Sequence, residues 1–157
     1  MTERRICLNQ SVLSFMEARI SPRSYVLEFG AGWSSRWFAE RCGKLVSIES
    51  SAQWLQLARD SMVGVDCDWD IRLAIDQRRI PKAPDLVLVD SEAQLRHEHA
   101  RLGWSLLKSG GWLVLDDAQR VRHRQTVEWL AGKPVRLEWS QGDIETARER
   151  LALAWQK

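Results

Sequence analysis

Between Val26 and Ser35 the chain reads Val-Leu-Glu-Phe-Gly-Ala-Gly-Trp-Ser-Ser, and this stretch constrains the fold more than any other. An apolar run carrying Glu28 near its end reads as a buried strand. Gly30 and Gly32 then let the backbone turn tightly and let a ligand lie directly against it. Ser34 or Ser35 is placed to cap the helix begun by Trp37, Phe38 and Ala39, whose positive N-terminus suits a carboxylate or phosphate. About twenty residues on, Leu45-Val46-Ser47-Ile48-Glu49 is a second strand ending in an acid, the position from which ribose hydroxyls of a nucleotide are held. A tight turn with no ligand is the bland alternative, and the paired signals weigh against it.

The same alternation runs through the rest of the chain. Residues 7–20 have apolar residues at helical spacing and stop at Ser21-Pro22. Strands are expected at 24–30, 44–50, 67–74, 84–90 and 112–116, with helices at 34–42, 52–62, 93–107 and 121–131. Residues 84–90 are almost wholly apolar, as in a central parallel strand buried on both faces. In the helix over 93–107, Leu95, His99, Leu102 and Leu106 form one apolar stripe. Residues 135–140 and 150–155 read as two strands joined by a polar turn around Gln141-Gly142-Asp143, with Val135, Leu137, Leu151 and Leu153 facing the core. The fold class is therefore α/β: a Rossmann-like, seven-stranded, mostly parallel sheet with a C-terminal antiparallel hairpin and helices on both faces.

At 157 residues the chain fits one domain, 1–157, with an N-terminal helical segment 1–21 and a core 22–157. Charged residues are 28% and the net charge is +2, which gives no electrostatic case for a polyanion partner. Cys7, Cys42 and Cys67 lack metal-binding spacing, fitting a reducing cytoplasm. The opening Met1-Thr2-Glu3-Arg4-Arg5-Ile6 has no apolar leader core, and no run is long enough to span a membrane. The nine tryptophans sit mostly in apolar patterns and are expected in the core.

The closing hairpin separates this pattern from a nicotinamide-binding domain, which would continue with another β-α unit. Together with Glu28-Phe29-Gly30-Ala31-Gly32, Glu49, the run Asp85 to Asp90 and the turn Leu106-Leu107-Lys108-Ser109-Gly110-Gly111 before strand 112–116, it resembles the class I S-adenosylmethionine-dependent methyltransferases. The Gly-x-Ser form of the first motif and the Val-Leu-Asp-Asp ending are most similar to small bacterial catechol-type and macrolide-sugar O-methyltransferases. The resemblance implies S-adenosylmethionine as cofactor, held by Glu28, Gly30, Ala31, Gly32, Trp33, Ser34, Ser35, Glu49, Ser50 and Asp90. Glu28 would face its methionine end, Glu49 its ribose, and Asp90 the transferred methyl.

Asp90, Asp116 and Asp117 end two strands that are neighbours in that family's strand order, about 4.8 Å apart. The resemblance implies that they hold a Mg²⁺ ion, which would bind the acceptor hydroxyl and lower its pKa. The alternative leaves Asp90 and Asp116 beside the cofactor and Asp117 as a helix cap. Ser91-Glu92-Ala93 lacks the lysine that catechol-type enzymes place after their metal acid, so a catechol substrate is not implied. His97 is the candidate general base if no metal binds, with a solvated surface histidine as its rival reading; His99, on the apolar stripe, reads as a satisfied half-core histidine. Arg120-Val121-Arg122-His123-Arg124 is a basic cluster that reads either as a charged helix start or as the meeting point for an anionic acceptor such as a carboxylate or phosphosugar; cations are mildly unfavourable near a helix start, so a partner is worth seeking.

Nucleic acid is discounted as substrate: no Asn/Asp-Pro-Pro-aromatic run follows Asp90, and no cysteine lies near that strand end. The expected activity is a cytoplasmic O-methyltransferase acting on a small-molecule acceptor with no membrane partner. A homo-oligomer completing the pocket is one arrangement a chain without an inserted lid allows. The alternatives are a methyltransferase-like binding protein without activity and, behind it, a nicotinamide-dependent oxidoreductase.

Overall fold

The computed structural model describes residues 6–76, 79–143 and 148–157, the side chains of 141–149 excepted. Its strands are β1 (Tyr25–Phe29), β2 (Lys44–Glu49), β3 (Asp68–Leu73), β4 (Leu86–Val89), β5 (Trp112–Leu115), β6 (Arg136–Asp143) and β7 (Arg148–Gln156). Its helices are α1 (Gln10–Glu17), α2 (Trp33–Ala39), α3 (Ala52–Ser61), α4 (Ala93–Leu106) and α5 (Arg124–Ala131), the last entered through a 3-10 turn at Val121–His123. The strands form one sheet in the order β3-β2-β1-β4-β5-β7-β6. Strands β1 to β5 pair in parallel, and β7 inserts antiparallel between β5 and β6. The expected fold class is the one observed. None of the described helices is long and apolar enough to cross a membrane.

The two faces of the sheet carry separate cores. On one, Val12, Met16, Phe38, Leu55 and Ala58 of α1 to α3 cover Val26, Leu45, Leu86 and Leu88. On the other, Ala100 and Leu130 of α4 and α5 cover Leu27, Phe29, Val87, Val89 and Leu113. Every residue of β1 and β4 is buried, as the unbroken apolar run of β4 requires of a central parallel strand. The strand order reverses between β1 and β4, and that switch point is where a doubly wound sheet binds ligands.

Register brings the strand ends together there. Asp90 N–H donates to Phe29 O at 2.8 Å, and Asp116 N–H donates to Val89 O at 3.3 Å, so Gly30, Asp90 and Asp116 stand in one row past the sheet edge. Gly30 has φ +98°, and a Cβ there would lie 2.5 Å from the Asp90 carbonyl oxygen. Only glycine fits the turn.

Several expectations change. The buried side of α4 is Arg96, His99, Ala100 and Gly103, while Leu102 is exposed. Ala100 and Gly103 let the helix approach the sheet closely; a Cβ on Gly103 would fall 2.7 Å from Val87 Cγ1. Of the tryptophans only Trp155 is fully buried; Trp54 and Trp69 are exposed, Trp37, Trp104, Trp112, Trp129 and Trp139 lie at the core margins, and Trp33 is half-buried. Trp112 and Trp139 flank Phe15, and Trp104 and Trp129 hold Lys133 between them. Val135 adopts a left-handed φ of 46° and is exposed, so β6 begins one residue later; Leu137 and Leu151 are half-buried, and Leu153 is buried. Asn9 caps α1 by accepting from Ser11 N–H at 2.8 Å, which starts that helix three residues after the expected point. Residues 1–5, on which the leader expectation rests, and the hairpin tip at 144–147 lie outside the described residues.

Gly30→Ala forces a Cβ into the Asp90 carbonyl at a left-handed φ. It should lower stability by about 2 kcal/mol or more, read as a reduced urea midpoint with unchanged slope. A midpoint equal to that of the parent would contradict the geometry.

Candidate active site

At the C-terminal ends of β1, β2 and β4 lies a cavity of about 400 Å³. The turn Gly30–Ser34 forms its floor, Glu49 and Trp54 one end, and Asp90, Arg96, Arg120, Arg122 and His123 the other. Ile6, Cys7 and Leu8, before α1, lie along its side.

Two buried acids shape the floor. Glu28 is fully buried and accepts hydroxyl hydrogen bonds from Ser34 (2.5 Å), Ser35 (2.6 Å) and Ser47 (2.6 Å). It lies beneath the turn and is not among the residues lining the cavity. The helix starts at Trp33, with Ser34 and Ser35 inside its first turn, so neither serine is the expected cap. Their hydroxyls serve Glu28 instead, and Ser35 Oγ also accepts from Gly32 N–H at 3.1 Å. Glu49 accepts from the backbone N–H of Ala31 and of Ser51, each at 2.7 Å, and from the Ser50 hydroxyl at 3.3 Å. It thus ties the glycine turn to the start of α3, and a carboxylate's further lone pairs remain for a ligand. A Cβ on Gly32 would meet only the exposed Trp54 ring, 3.9 Å away, so the space above the turn is free. Trp54, exposed, stands at the cavity lip.

The far end is dominated by arginine. Arg96, 5% exposed, donates to Asp90 Oδ1 at 3.0 Å, Ser91 O at 2.8 Å and Asp116 O at 2.5 Å. Arg150 reaches in from β7, donating to Asp116 Oδ2 at 2.9 Å and Asp117 Oδ1 at 3.2 Å. Arg120 pairs with Asp117 Oδ2 at 2.5 Å. Burial holds Asp90 and Asp116 above the ordinary carboxylate range against the pull of these cations.

The three acids expected to hold Mg²⁺ are therefore not gathered around an open point. Asp116 and Asp117 turn toward Arg150, outside the cavity lining, and only Asp90 lines it. Among the described residues no three His, Cys, Asp or Glu side chains converge as a metal ion needs. The residues do not fit a hard cation, because guanidinium groups occupy the directions its ligands would point. Neither Arg96 nor Arg150 was singled out from sequence, and their partners lie up to 34 residues away.

The histidines sort differently from the expectation. His97 is not brought to the cavity: its Nδ1 lies 3.3 Å from Thr126 Oγ1 and its ring meets Trp129 edge-on, between α4 and α5. The helical rotation that buries Arg96 turns the next residue away. His99 packs on Phe29 with Nδ1 2.8 Å from Ser91 Oγ, and burial lowers its pKa to about 4, as fits a core histidine. His123 was read only as one member of a basic run, yet it is buried and lines the cavity.

No family model and no curated protein sequence matches the chain. Solved structures do. An O-methyltransferase from Bacillus cereus in complex with SAH is 16% identical, with a TM-score of 0.79 over 99% of this chain and 84% of that one. The O-methyltransferase TomG from Streptomyces achromogenes, involved in tomaymycin synthesis and in complex with SAM, is 20% identical, with a TM-score of 0.78 over 100% and 83%. An rRNA methylase from Streptococcus thermophilus is 11% identical, with a TM-score of 0.74 over 97% and 99%. The chain has the class I methyltransferase fold.

Burial pushes Glu28 up to about 7 from 4.5, its serine donors pulling the other way. The folded state thus holds a proton that the unfolded chain releases, so this group's stabilisation is full below pH 4.5 and is lost as pH rises through 7. Glu28→Gln should flatten that decline, by on the order of 3 kcal/mol, in urea midpoints taken from pH 4.5 to 8. Parallel slopes for parent and variant would exclude the assignment.

Proposed function

We propose that this chain is an S-adenosylmethionine-dependent methyltransferase acting on the hydroxyl of a small-molecule acceptor. The observation that carries the reading is the path of the cavity, which runs from the Glu49 carboxylate over an unobstructed glycine turn to Asp90. It lies at the switch point of a sheet that ends in the antiparallel β7 and β6, in a fold similar to that of structures holding SAM or SAH. The same ending speaks against a nicotinamide-dependent oxidoreductase.

In this reading Glu49 accepts from the ribose hydroxyls, with Ser50 beside it. The backbone of Gly30, Ala31 and Gly32 underlies the cofactor, and Trp33, Ser34 and Trp54 border it. Glu28 and Ser35 act from below, fixing the turn rather than touching the ligand. Asp90, steadied by Arg96, stands at the reacting end. When bound, S-adenosylmethionine supplies an electrophilic methyl on a sulfonium. The chain's part is to orient the acceptor in line with that methyl and to exclude water. The net charge of +2 favours a small acceptor over a nucleic acid, and the cytoplasm is the compartment the cysteine usage supports.

S-adenosylhomocysteine should bind in the micromolar range, about −8 kcal/mol, and raise the melting temperature, while NADH should not. Glu49→Gln, which keeps most of the side chain's bulk, should weaken binding by about 1–3 kcal/mol in calorimetry. Binding of NADH without S-adenosylhomocysteine would sink the assignment.

A further inference from the structure

The cavity end beyond Asp90 carries an arrangement that the cofactor leaves unused. His123 Nδ1 lies 3.0 Å from the Asp117 backbone carbonyl. A carbonyl only accepts, so Nδ1 carries the proton and Nε2 presents a lone pair. That Nε2 is buried and has no hydrogen-bond partner among the described residues, in a residue that stands in the cavity wall. A buried acceptor left unpaired is costly and rare, and calls for an explanation in function. Burial, with Arg96, Arg122 and Arg120 nearby, lowers the pKa of His123 despite its bond to Asp117, which favours the neutral ring.

The cations around it differ in what they hold. Arg96 is committed to Asp90 and two carbonyls, and Arg120 to Asp117. Arg122 lines the cavity, is exposed, and makes no ion pair among the described residues. It also precedes the N-terminus of α5, where a positive charge is disfavoured unless an anion meets it. Of the acids on this side, Asp90 is paired with Arg96, while Glu92, exposed, accepts only from the neutral Gln94 amide.

We propose that the acceptor is a small hydroxy compound bearing a carboxylate or phosphate, its anionic group set against Arg122 and its hydroxyl against His123 Nε2. This rests on the methyltransferase reading and names its substrate class and its base. The hydroxyl proton passes to Nε2 as the oxygen bonds to the methyl carbon. The sulfur–carbon bond breaks with its electron pair left on sulfur, giving the neutral thioether. The imidazolium then loses its proton to water.

The test uses the full chain saturated with S-adenosylhomocysteine and matched probes: 3-hydroxybenzoate against 3-hydroxybenzamide, glycerate against glyceramide, and glycerol 3-phosphate against glycerol. Nitrogen NMR of the histidine rings should show Nε2 of His123 shifting saturably with at least one anionic probe, about tenfold or more tighter than with its neutral partner. The carboxylate and phosphate arms tell the two anions apart. Arg122→Gln, a change at an exposed residue, should remove the preference. With S-adenosylmethionine, His123→Gln should slow methylation of that probe by about a hundredfold or more while S-adenosylhomocysteine affinity stays unchanged. The proposal is overturned if no anionic probe binds better than its neutral partner, if His123→Gln retains full turnover, or if methyl-labelled S-adenosylmethionine passes its label to RNA and to none of the probes. Failure to bind S-adenosylhomocysteine in calorimetry would instead overturn the methyltransferase reading itself.

Discussion

Arg96 is the interaction on which the site depends. Parallel strands deliver their C-terminal carbonyls to one edge of the sheet, and here two of them also deliver carboxylates, Asp90 and Asp116. Left alone these groups repel and desolvate one another. One planar guanidinium, almost fully buried, answers a side chain of β4's end, a carbonyl of the following loop and a carbonyl of β5's end at once. An ammonium is a point charge and lacks that fork geometry. Removing the guanidinium would leave Asp90 uncompensated in the cavity wall, the circumstance in which breaking a buried pair is most damaging.

The floor follows the same logic with different chemistry. Glu28 and Glu49 are both buried acids near the glycine turn, but three hydroxyls satisfy the first and two backbone amides plus a hydroxyl the second. Glu28 fastens α2 to β1 and β2 from below, while Glu49 holds the turn from the cavity side. The turn is thereby fixed before any ligand arrives, which spares a cofactor the cost of ordering it. At the other end, the same carbonyl-directed fixing sets the tautomer of His123.

The architecture was legible because it depends on local pattern. The unbroken apolar run of β4, the glycine turn after β1 and the acid closing β2 are each visible within a few residues of sequence. The faces of the helices were less so. The α4 periodicity favours its leucines, yet Gly103 and Ala100 govern how close the helix comes to the sheet, so the turn containing Arg96 faces inward. The site acids themselves were read correctly as strand-end residues, but their partners were not. Arg150 and Asp116 are 34 residues apart and meet only because β7 enters the sheet beside β5. No short-range spacing announces such a pair, and Mg²⁺ was expected where guanidinium stands. His123 was hidden for a related reason, since its role comes from a backbone carbonyl that no side-chain motif encodes.

The position of β7 has a consequence for the order in which the molecule can be completed. The strand made last among the seven is interior to the sheet, with β5 on one side and β6 on the other. Until residues 148–156 leave the ribosome, β5 presents an open apolar edge, and the carboxylate of Asp116 lacks its counter-ion. A nascent chain halted before that point is therefore a natural client for chaperones, with an exposed strand edge that invites pairing with other chains. Docking of one strand closes the edge and neutralises the site in the same event.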